Sequence, residues 1–595
     1  MGTSTASLRA LGAAWWLLCW MAAIIWPTVR SVSLQQQQQQ QQQTPLYSYA
    51  RTLRALQGHG AALPLYQELL RQNPNDRTAA TWIASHPDTP QRHVRLEKST
   101  QHVATKELQY ITAHFLDWNF TPLGIADSIF GPETTSPSVP SAVAARISTA
   151  PLYLQPLRAG SPTLPNPKSA LDTCIQLLLM AVCVPLATCQ LHLGEKMVEL
   201  LETMGIAYCD RDQSNQEAMM VPYCHIMPVK PIGTDQKTLY FATDLHPNVL
   251  STTTIEKDHD PVMYIGPDSL ALVDHWTSLQ PGVKSSSKDN QNQCYRVVDI
   301  GTGSGIQALT MVASLQQSSK SHNTKQEHAA ADQVVCIDIN PRALQLARLN
   351  FSWNGFPEPV LILGDVTDEQ GGGRLLLHHE SFGETKPWQA WVGRPTMLLA
   401  NPPFLPVPVH DPAISKRHGL FSSGGACGEV ILKRIVELAS QCLADDEQSV
   451  LGVVSEFMNP QTTFPFRLEK WWGNSLSIDN ATTRGLLFTN EKPLDARTYA
   501  SRRADSPQEF ETWMQHLSKE EITHVSPGLL FLQKSSHLHD NDKDVVDGKR
   551  IHIKSYLVPT TDGGSIWTPT NVKARDFTRN KLIELGLHFD PKSVS

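Results

Sequence analysis

The stretch that most constrains the fold runs from Val297 to Gly305 and reads V-V-D-I-G-T-G-S-G. Its apolar start predicts a buried strand over 297–300, and an apolar helical pattern follows over 306–315. Glycine at every second position of the loop between them lets a ligand lie against bare main chain. The stretch therefore predicts a strand, a cofactor-binding loop and a helix; the alternative is a tight turn without a ligand.

The glycine loop alone does not identify the cofactor. Residues 303–308, G-S-G-I-Q-A, also satisfy the dinucleotide-binding fingerprint, so a nicotinamide cofactor stays open at this point. The choice depends on residues further along the chain.

Three more apolar runs predict strands at 334–337, 360–363 and 396–400, and a helical pattern occupies 341–353. Strands that are apolar throughout and alternate with helices indicate an α/β fold with a doubly wound, mostly parallel, Rossmann-like sheet. Ligands of such sheets bind beyond the carboxyl ends of the strands. The polar residues directly after these strands, Asp338, Asp365 and Asn401, are therefore expected at that edge, together with the glycine loop.

Two of these residues suit an adenosine cofactor. Asp338 can accept hydrogen bonds from both ribose hydroxyls, and Asp365 can accept from the adenine amino group. Asp338 follows the glycine loop by more than the usual ~20 residues, and a polar insertion at 316–332 accounts for the excess. A strand-terminal aspartate can also serve only as a helix N-cap, which is the alternative for each acid.

The segment Asn401-Pro402-Pro403-Phe404 discriminates most between reactions. Two prolines cannot continue a strand and fix an extended turn at its mouth. The side-chain oxygen of Asn401 and nearby carbonyls can then accept both hydrogens of a planar NH2 group, while Phe404 offers a flat face for stacking. Hydride transfer has no need of this arrangement. The alternative is a strand-ending turn with a core phenylalanine.

Taken together, D-I-G-T-G-S-G at 299–305, D-I-N-P-R-A-L at 338–344, A-R-L-N at 347–350, G-D at 364–365 and N-P-P-F at 401–404 resemble the successive motifs of class I S-adenosylmethionine-dependent methyltransferases. They are most similar to the small-domain group, which includes release-factor glutamine methyltransferases and rRNA methyltransferases. F-S-S-G-G-A-C-G-E at 421–429 is similar to the segment that follows N-P-P in the glutamine-modifying branch.

The resemblance implies S-adenosyl-L-methionine as cofactor and methyl transfer to a nitrogen. It implies a catalytic segment made of Asn401, Pro402, Pro403 and Phe404. The cofactor-binding residues that it implies are Asp299, Gly301, Thr302, Gly303, Gly305, Asp338, Ile339, Asp365, Val366 and Asn401.

Seven parts are expected along the chain. They are a signal peptide or membrane anchor (1–33, with an apolar run at 10–26), a polyglutamine low-complexity segment (34–45), a helical region (46–130), a linker (131–168), a winged-helix-like helical and β module (169–260), the methyltransferase domain (261–535) and a C-terminal extension (536–595). The N-terminal segment predicts entry into the secretory pathway or an organelle, or anchoring in a membrane; the compartment is not readable. Within the domain, a strand and a helix are expected over 261–276, and an edge strand over 551–558.

A net charge of −7 gives the chain no general attraction to nucleic acid, so a nucleic-acid substrate needs a local basic surface. The candidates are 416–418 (K-R-H) and Arg502-Arg503. The ten cysteines show no zinc-type spacing, and neither a metal nor a disulfide framework is expected. The partner is therefore a release-factor-like protein or an RNA or DNA substrate, and the oligomeric state is open.

Three functions are compatible with the sequence. The first is an N-methyltransferase acting on a planar NH2 group, either a protein glutamine amide or a base amino group. The second is a non-catalytic cofactor-binding adaptor, and the third is an NAD-dependent oxidoreductase.

Overall fold

The computed structural model describes residues 105–584, except 131–166, 181–183, 211–217, 223, 231–237, 245–261, 277–295, 321–333, 367–395, 413, 416–421, 444–448, 474–481, 505, 536–550, 560–564 and 568–571. The predicted signal or anchor, the glutamine run and nearly all of the linker lie outside the described residues. Within the described part, no helix combines the length and apolar character that a membrane span requires.

Two helices open the described chain, α1 (Thr105–Asp117) and α2 (Pro122–Phe130). Phe115 and Phe120 are fully buried, and their ring centroids lie 5.2 and 6.4 Å from that of Tyr240. The Tyr240 hydroxyl donates to the carbonyl of Phe120 at 3.0 Å. An aromatic cluster thus packs this helical pair against the part of the chain that contains Tyr240.

The next part contains short helices and small antiparallel sheets. Its elements are α3 (Ala170–Cys174), a π-helical turn (Ile175–Leu179), β1 (Val184–Pro185), α4 (Leu186–Leu193), α5 (Glu195–Thr203), β2 (Ala207–Asp210), β3 (Met219–Pro222), β4 (Cys224–Val229) and β5 (Leu239–Asp244). β1, β3 and β2 form one antiparallel sheet, and β4 pairs with β5 in another. The winged-helix assignment of this part stays a prediction.

A nine-stranded sheet is the largest sheet in the described part of the chain. Its elements, with the helices around them, are α6 (Pro267–Trp276), β6 (Arg296–Ile300), α7 (Ile306–Lys320), β7 (Val334–Asp338), α8 (Pro341–Trp353), β8 (Val360–Leu363), β9 (Thr396–Ala400), α9 (Val430–Cys442), β10 (Val450–Met458), α10 (Phe464–Gly473), β11 (Thr482–Asn490), β12 (Leu494–Asp495), α11 (Ala496–Arg503), α12 (Pro507–Lys519), β13 (His524–Ser535), β14 (Ile551–Val558) and α13 (Val572–Glu584).

The strands lie in the order β14-β11-β13-β10-β9-β6-β7-β8, with β12 beside β13. All pairs are parallel except those of β13, which runs antiparallel to β10, β11 and β12. The prediction of a mixed α/β fold with a mostly parallel, Rossmann-like sheet is confirmed, and the expected edge strand at 551–558 is β14. β6 has β7 on one side and β9 on the other, so the strand order reverses there, which is where such sheets bind ligands.

The sheet is apolar on both faces because helices cover it. Leu432, Ile435, Val436 and Ala439 recur at helical spacing on α9 and are all fully buried in the same cluster as the strand residues. α10 adds Trp472 to this cluster. These contacts make the central strands a rigid support for the loops at their ends.

The prediction of a strand just before α6 is wrong. Residues 262–266 run to the helix without a strand partner, because side chains hold their main chain instead. The amide of Val262 donates to Asp244 Oδ2 at 2.8 Å, and the amide of Gly266 donates to Ser269 Oγ at 3.3 Å. An apolar run flanked by glycine and proline does not distinguish this case from a strand.

Candidate active site

The glycine loop and Asn401 lie at the same edge of the sheet. Ile300, the last residue of β6, pairs with Ala400, the last residue of β9. A Cβ atom built on Gly301 would lie 3.8 Å from the carbonyl oxygen of Asn401. The two predicted segments therefore meet where the strand order reverses.

The loop adopts the backbone that its glycines predict. Gly301, Gly303 and Gly305 have φ angles of 70°, 54° and 77°, in the left-handed region. Gly301 is exposed, whereas Gly305 is buried with a built Cβ only 3.0 Å from Ala347 Cβ on α8. The first glycine thus leaves main chain open to a ligand, and the last allows α8 to approach the loop closely.

Asp299 and Thr302 hold the loop together from within. Thr302 Oγ1 donates to Asp299 Oδ2 at 2.9 Å, and the amide of Ala308 donates to the same oxygen at 3.2 Å. Asp299 is 1% exposed, and this burial raises the pKa of its carboxyl group to about 7, although both hydrogen bonds oppose the rise. In this structure both predicted cofactor residues bind the loop itself.

Asp338 receives main-chain bonds from two sides. Its Oδ2 accepts from the amide of Gly303 and its Oδ1 from the amide of Asn340, both at 2.9 Å. Desolvation raises its pKa to about 6, and the main-chain donors act in the opposite direction. The N-cap of α8 is Asn340, whose side chain accepts from the amide of Arg342 at 3.0 Å, so the interpretation of Asp338 as a mere N-cap is wrong.

The ends of β7 and β8 continue the same edge. The amide of Gly364 donates to the carbonyl of Asp338 at 3.0 Å, which brings Asp365 next to the end of β7. Ile339 is 44% exposed, a large apolar side chain left open beside Asp338. Asp365 is partly buried, and Val366 packs against the sheet core.

Asn401 is held by a residue that sequence reasoning missed. Its Nδ2 donates to Asp268 Oδ2 at 3.0 Å, and Asp268 lies in the first turn of α6 with 6% exposure. The Oδ1 atom of Asn401 is buried and has no hydrogen-bond partner among the described residues. Burial raises the pKa of Asp268, while its hydrogen bond with Asn401 opposes the rise. An amide oxygen is thus left free at the point where an acceptor was expected.

Phe404 is partly exposed, and its ring has an aromatic neighbour from the C-terminal extension. Trp567 lies with its ring centroid 5.4 Å away, and its Nε1 donates to the carbonyl of Gly528 at 3.1 Å. Trp567 was not predicted, because no local pattern connects residue 567 to a loop more than 160 residues earlier. Of the two prolines, Pro402 is buried and Pro403 is partly buried.

The glycine-rich segment at 422–429 packs directly on the N-P-P-F turn. The amide of Leu405 donates to the carbonyl of Ser422, and the amide of Gly424 donates back to Leu405, both at 2.9 Å. Glu429, 4% exposed, accepts both arms of the Arg467 guanidinium, at 2.8 and 2.6 Å. The segment therefore supports the turn, and it is anchored by an ion pair in which Glu429 is buried and Arg467 is partly exposed.

A further group that sequence reasoning missed lies near Asp268. Glu456 on β10 accepts from the Tyr499 hydroxyl at 2.7 Å and from Arg503 at 2.8 Å. Tyr264 has its pKa raised to about 12 by burial, then by the nearby Asp268, with Arg503 acting in the opposite direction. Arg503 is thus engaged by Glu456, whereas Arg502, the other residue of this predicted candidate, is exposed. The other candidate, 416–418, lies outside the described residues.

The A-R-L-N motif connects the site to the preceding module. Asn350 is fully buried; its Oδ1 accepts from the amide of Ala242 at 2.7 Å, and its Nδ2 donates to the carbonyls of Ala242 and Ser304 at 2.9 and 2.8 Å. This side chain therefore ties β5 to the glycine loop.

None of the described cysteines forms a disulfide, and the described residues contain no cluster of acidic, histidine or cysteine side chains that could hold a metal. Cys336 on β7 is fully buried and serves as a small core residue, and this burial raises its pKa.

No protein-family model matches the chain, and no curated protein sequence matches it. Several solved structures are similar over about half of the chain. They include the type IIG restriction endonuclease BpuSI (13% identity, covering 52% of this chain and 27% of that chain, TM-score 0.24), Trm5b from Pyrococcus abyssi (10%, 58% and 68%, TM-score 0.25) and a SAM-dependent methyltransferase from Agrobacterium tumefaciens (11%, 55% and 77%, TM-score 0.26). The chain thus spans about a quarter of the length of the restriction endonuclease.

Proposed function

We propose that the chain is an S-adenosyl-L-methionine-dependent N-methyltransferase that acts on a planar NH2 group. The observation that carries the proposal is the buried Oδ1 of Asn401, which has no hydrogen-bond partner among the described residues and lies beside the glycine loop at the reversal of strand order. We base the proposal on these residues and on the motif resemblance, not on the distant solved structures.

The residues at the edge fit an adenosine cofactor. Gly301 leaves its main chain uncovered, and the partly exposed carboxylate of Asp338 is a suitable acceptor for ribose hydroxyls. The exposed side chain of Ile339 offers an apolar surface for adenine, and Asp365 a nearby acceptor. When bound, S-adenosyl-L-methionine supplies an electrophilic methyl group on its sulfonium.

The residues of the N-P-P-F turn act on the acceptor. The nitrogen of an amide or a nucleobase is a poor nucleophile because its lone pair is delocalised. Asn401 Oδ1 accepts one hydrogen of the NH2 group and so raises the electron density on nitrogen, while the ring of Phe404 aligns the planar group. The chain needs no general base here, because a proton can leave after methylation.

The acceptor is either a protein glutamine amide or an amino group of an RNA or DNA base, and the geometry of Asn401 serves both. The proposed entry into the secretory pathway or an organelle depends on the sequence of residues 1–33 alone, and so does membrane association.

Calorimetric titration separates the candidate functions. The full chain is expected to bind S-adenosyl-L-methionine and not NAD. Binding of NAD alone would support the oxidoreductase, whose fingerprint the glycine loop also satisfies. Binding of the methyl donor without methyl transfer to any component of a cell extract would support the adaptor.

A further inference from the structure

The contact between Asp268 and Asn401 fixes which end of the amide faces the acceptor. An asparagine amide has two ends of similar shape, one with an acceptor oxygen and one with two donor hydrogens. An ionised carboxylate can only accept, so it selects the NH2 end of Asn401 and turns the oxygen away from itself. The structure has this orientation, because Asn401 Nδ2 donates to Asp268 Oδ2 at 3.0 Å.

We propose that Asp268 is a positioning residue, which locks the Asn401 amide so that Oδ1 stays free for the NH2 group of the acceptor. The inference rests on the proposed function, and it adds a residue to the site that neither the motifs nor the resemblance assigned. Asp268 acts through Asn401 and need not contact the acceptor itself.

A purely structural role explains Asp268 poorly. The side chain is buried, and the described residues give it no ion pair. The titratable groups near it are Tyr264, from the segment before α6, and Glu456, from β10. Glu456 is an acid and raises the pKa of Asp268 further. A buried carboxylate next to a second acid costs stability, which a serine or asparagine at the same helix start would avoid.

The side chain of Asp268 also takes main-chain bonds. The N–H groups of Asp268 and Ser269 donate to its carboxylate and lower its pKa, less than Asn401 does. An asparagine at 268 has only one oxygen, and these N–H groups would claim it. Its NH2 would then face Asn401, whose amide would turn and lose its free oxygen to residue 268.

Exchanging the side chains of residues 268 and 401 should restore activity that either single substitution removes. Asp268→Asn should lower the initial rate of methyl transfer at saturating cofactor by about 100-fold, the lower end of the loss seen when one preorganised hydrogen bond is removed from a reaction centre, with cofactor Kd unchanged. Asn401→Asp should also be impaired, because two carboxylates would then lie side by side. In the double variant Asp268→Asn/Asn401→Asp, the amide at 268 donates to the carboxylate at 401, and the other oxygen of that carboxylate is free again. The rate of methyl transfer by the double variant should therefore be at least about tenfold higher than that of either single variant.

The matched control is Asp274→Asn, which neutralises another buried acid of α6. Asp274 has its pKa raised to about 7 by burial, and the charge that opposes this rise is Arg575. Asp274→Asn should keep wild-type methyl transfer, which separates a loss at the site from a general loss of α6.

The assay measures transfer of labelled methyl from S-adenosyl-L-methionine to the same cell extract, with calorimetric cofactor affinity as proof of folding. Full activity in Asp268→Asn would overturn the inference and leave the proposed function intact. An impaired single variant that the swap does not rescue would also overturn it and return Asp268 to a structural role. A wild-type chain without cofactor binding would instead overturn the proposed function.

Discussion

Replacing Gly305 by alanine tests how the loop is built into the fold. Gly305 has φ 77°, and a Cβ there would lie 3.0 Å from Ala347 Cβ and 3.2 Å from Ala347 Cα. Gly355 provides a matched control, since it has φ 78° and nothing within 4 Å of a built Cβ. The two substitutions share the same backbone strain and differ in packing.

The magnitudes follow from this difference. Alanine in the left-handed region costs about 1–2 kcal/mol, which is the full expected effect of Gly355→Ala. Overpacking against α8 adds about 1–3 kcal/mol at position 305. Gly305→Ala is therefore expected to lower the free energy of unfolding by about 2–5 kcal/mol.

Gly301→Ala completes the set. Its φ of 70° carries the same strain, and the built Cβ has no contact closer than 3.8 Å. It should match Gly355→Ala in denaturant unfolding, yet calorimetry should show weakened binding of S-adenosyl-L-methionine, because the new methyl group fills the open main-chain surface. Equal unfolding free energies for the 305 and 355 variants, or wild-type cofactor affinity in Gly301→Ala, would refute the reasoning.

Two further predictions concern Asp338 and Asp299, the two strand-end acids that bind the glycine loop. Asp338→Asn removes one of two carboxylate oxygens, so cofactor affinity should fall by about 1.5–3 kcal/mol, seen by calorimetry; unchanged affinity would exclude Asp338 from cofactor binding. The pKa of Asp299 rises from 3.8 to about 7 on folding, so the folded chain holds this proton more tightly, and its contribution to stability is fully present below about pH 4 and lost as the pH rises through about 7. The free energy of unfolding of the wild type should therefore fall relative to that of Asp299→Asn between pH 5 and 7.5, by at most about 1.4 kcal/mol per pH unit. A difference between the two proteins that stays constant with pH would contradict the raised pKa.

The sequence was most informative where side-chain pattern and backbone requirement coincide. Strands β8 and β9 and helix α8 have the predicted bounds, because apolar runs of strand length end at polar turn residues and Asn340-Pro341 marks a helix start. The sequence also predicted that Gly301, Asp338 and Asn401 lie at the same edge of the sheet, since the carboxyl ends of parallel strands meet at one edge.

What could not be predicted depends on contacts between distant residues. Asp268 lies 133 positions from Asn401 in the chain, and no local pattern distinguishes it from an ordinary acid in a first helical turn. The same holds for Trp567, which follows β14 in the chain and contacts Phe404 because β14 pairs with β11 at the edge of the sheet. The false strand before α6 arose because side chains, which periodicity does not count, took over the main-chain hydrogen bonds.

The central claim is that one edge of the sheet brings together a methyl donor and a planar NH2 acceptor held by Asn401. Its most direct test is methyl transfer from labelled S-adenosyl-L-methionine to a cell extract by the wild-type chain and by Asn401→Ala, with protease and nuclease treatment of the product. We predict labelling by the wild type and none by the variant, at nearly equal calorimetric affinity for the cofactor. Equal labelling by both would remove Asn401 from the reaction and contradict the account.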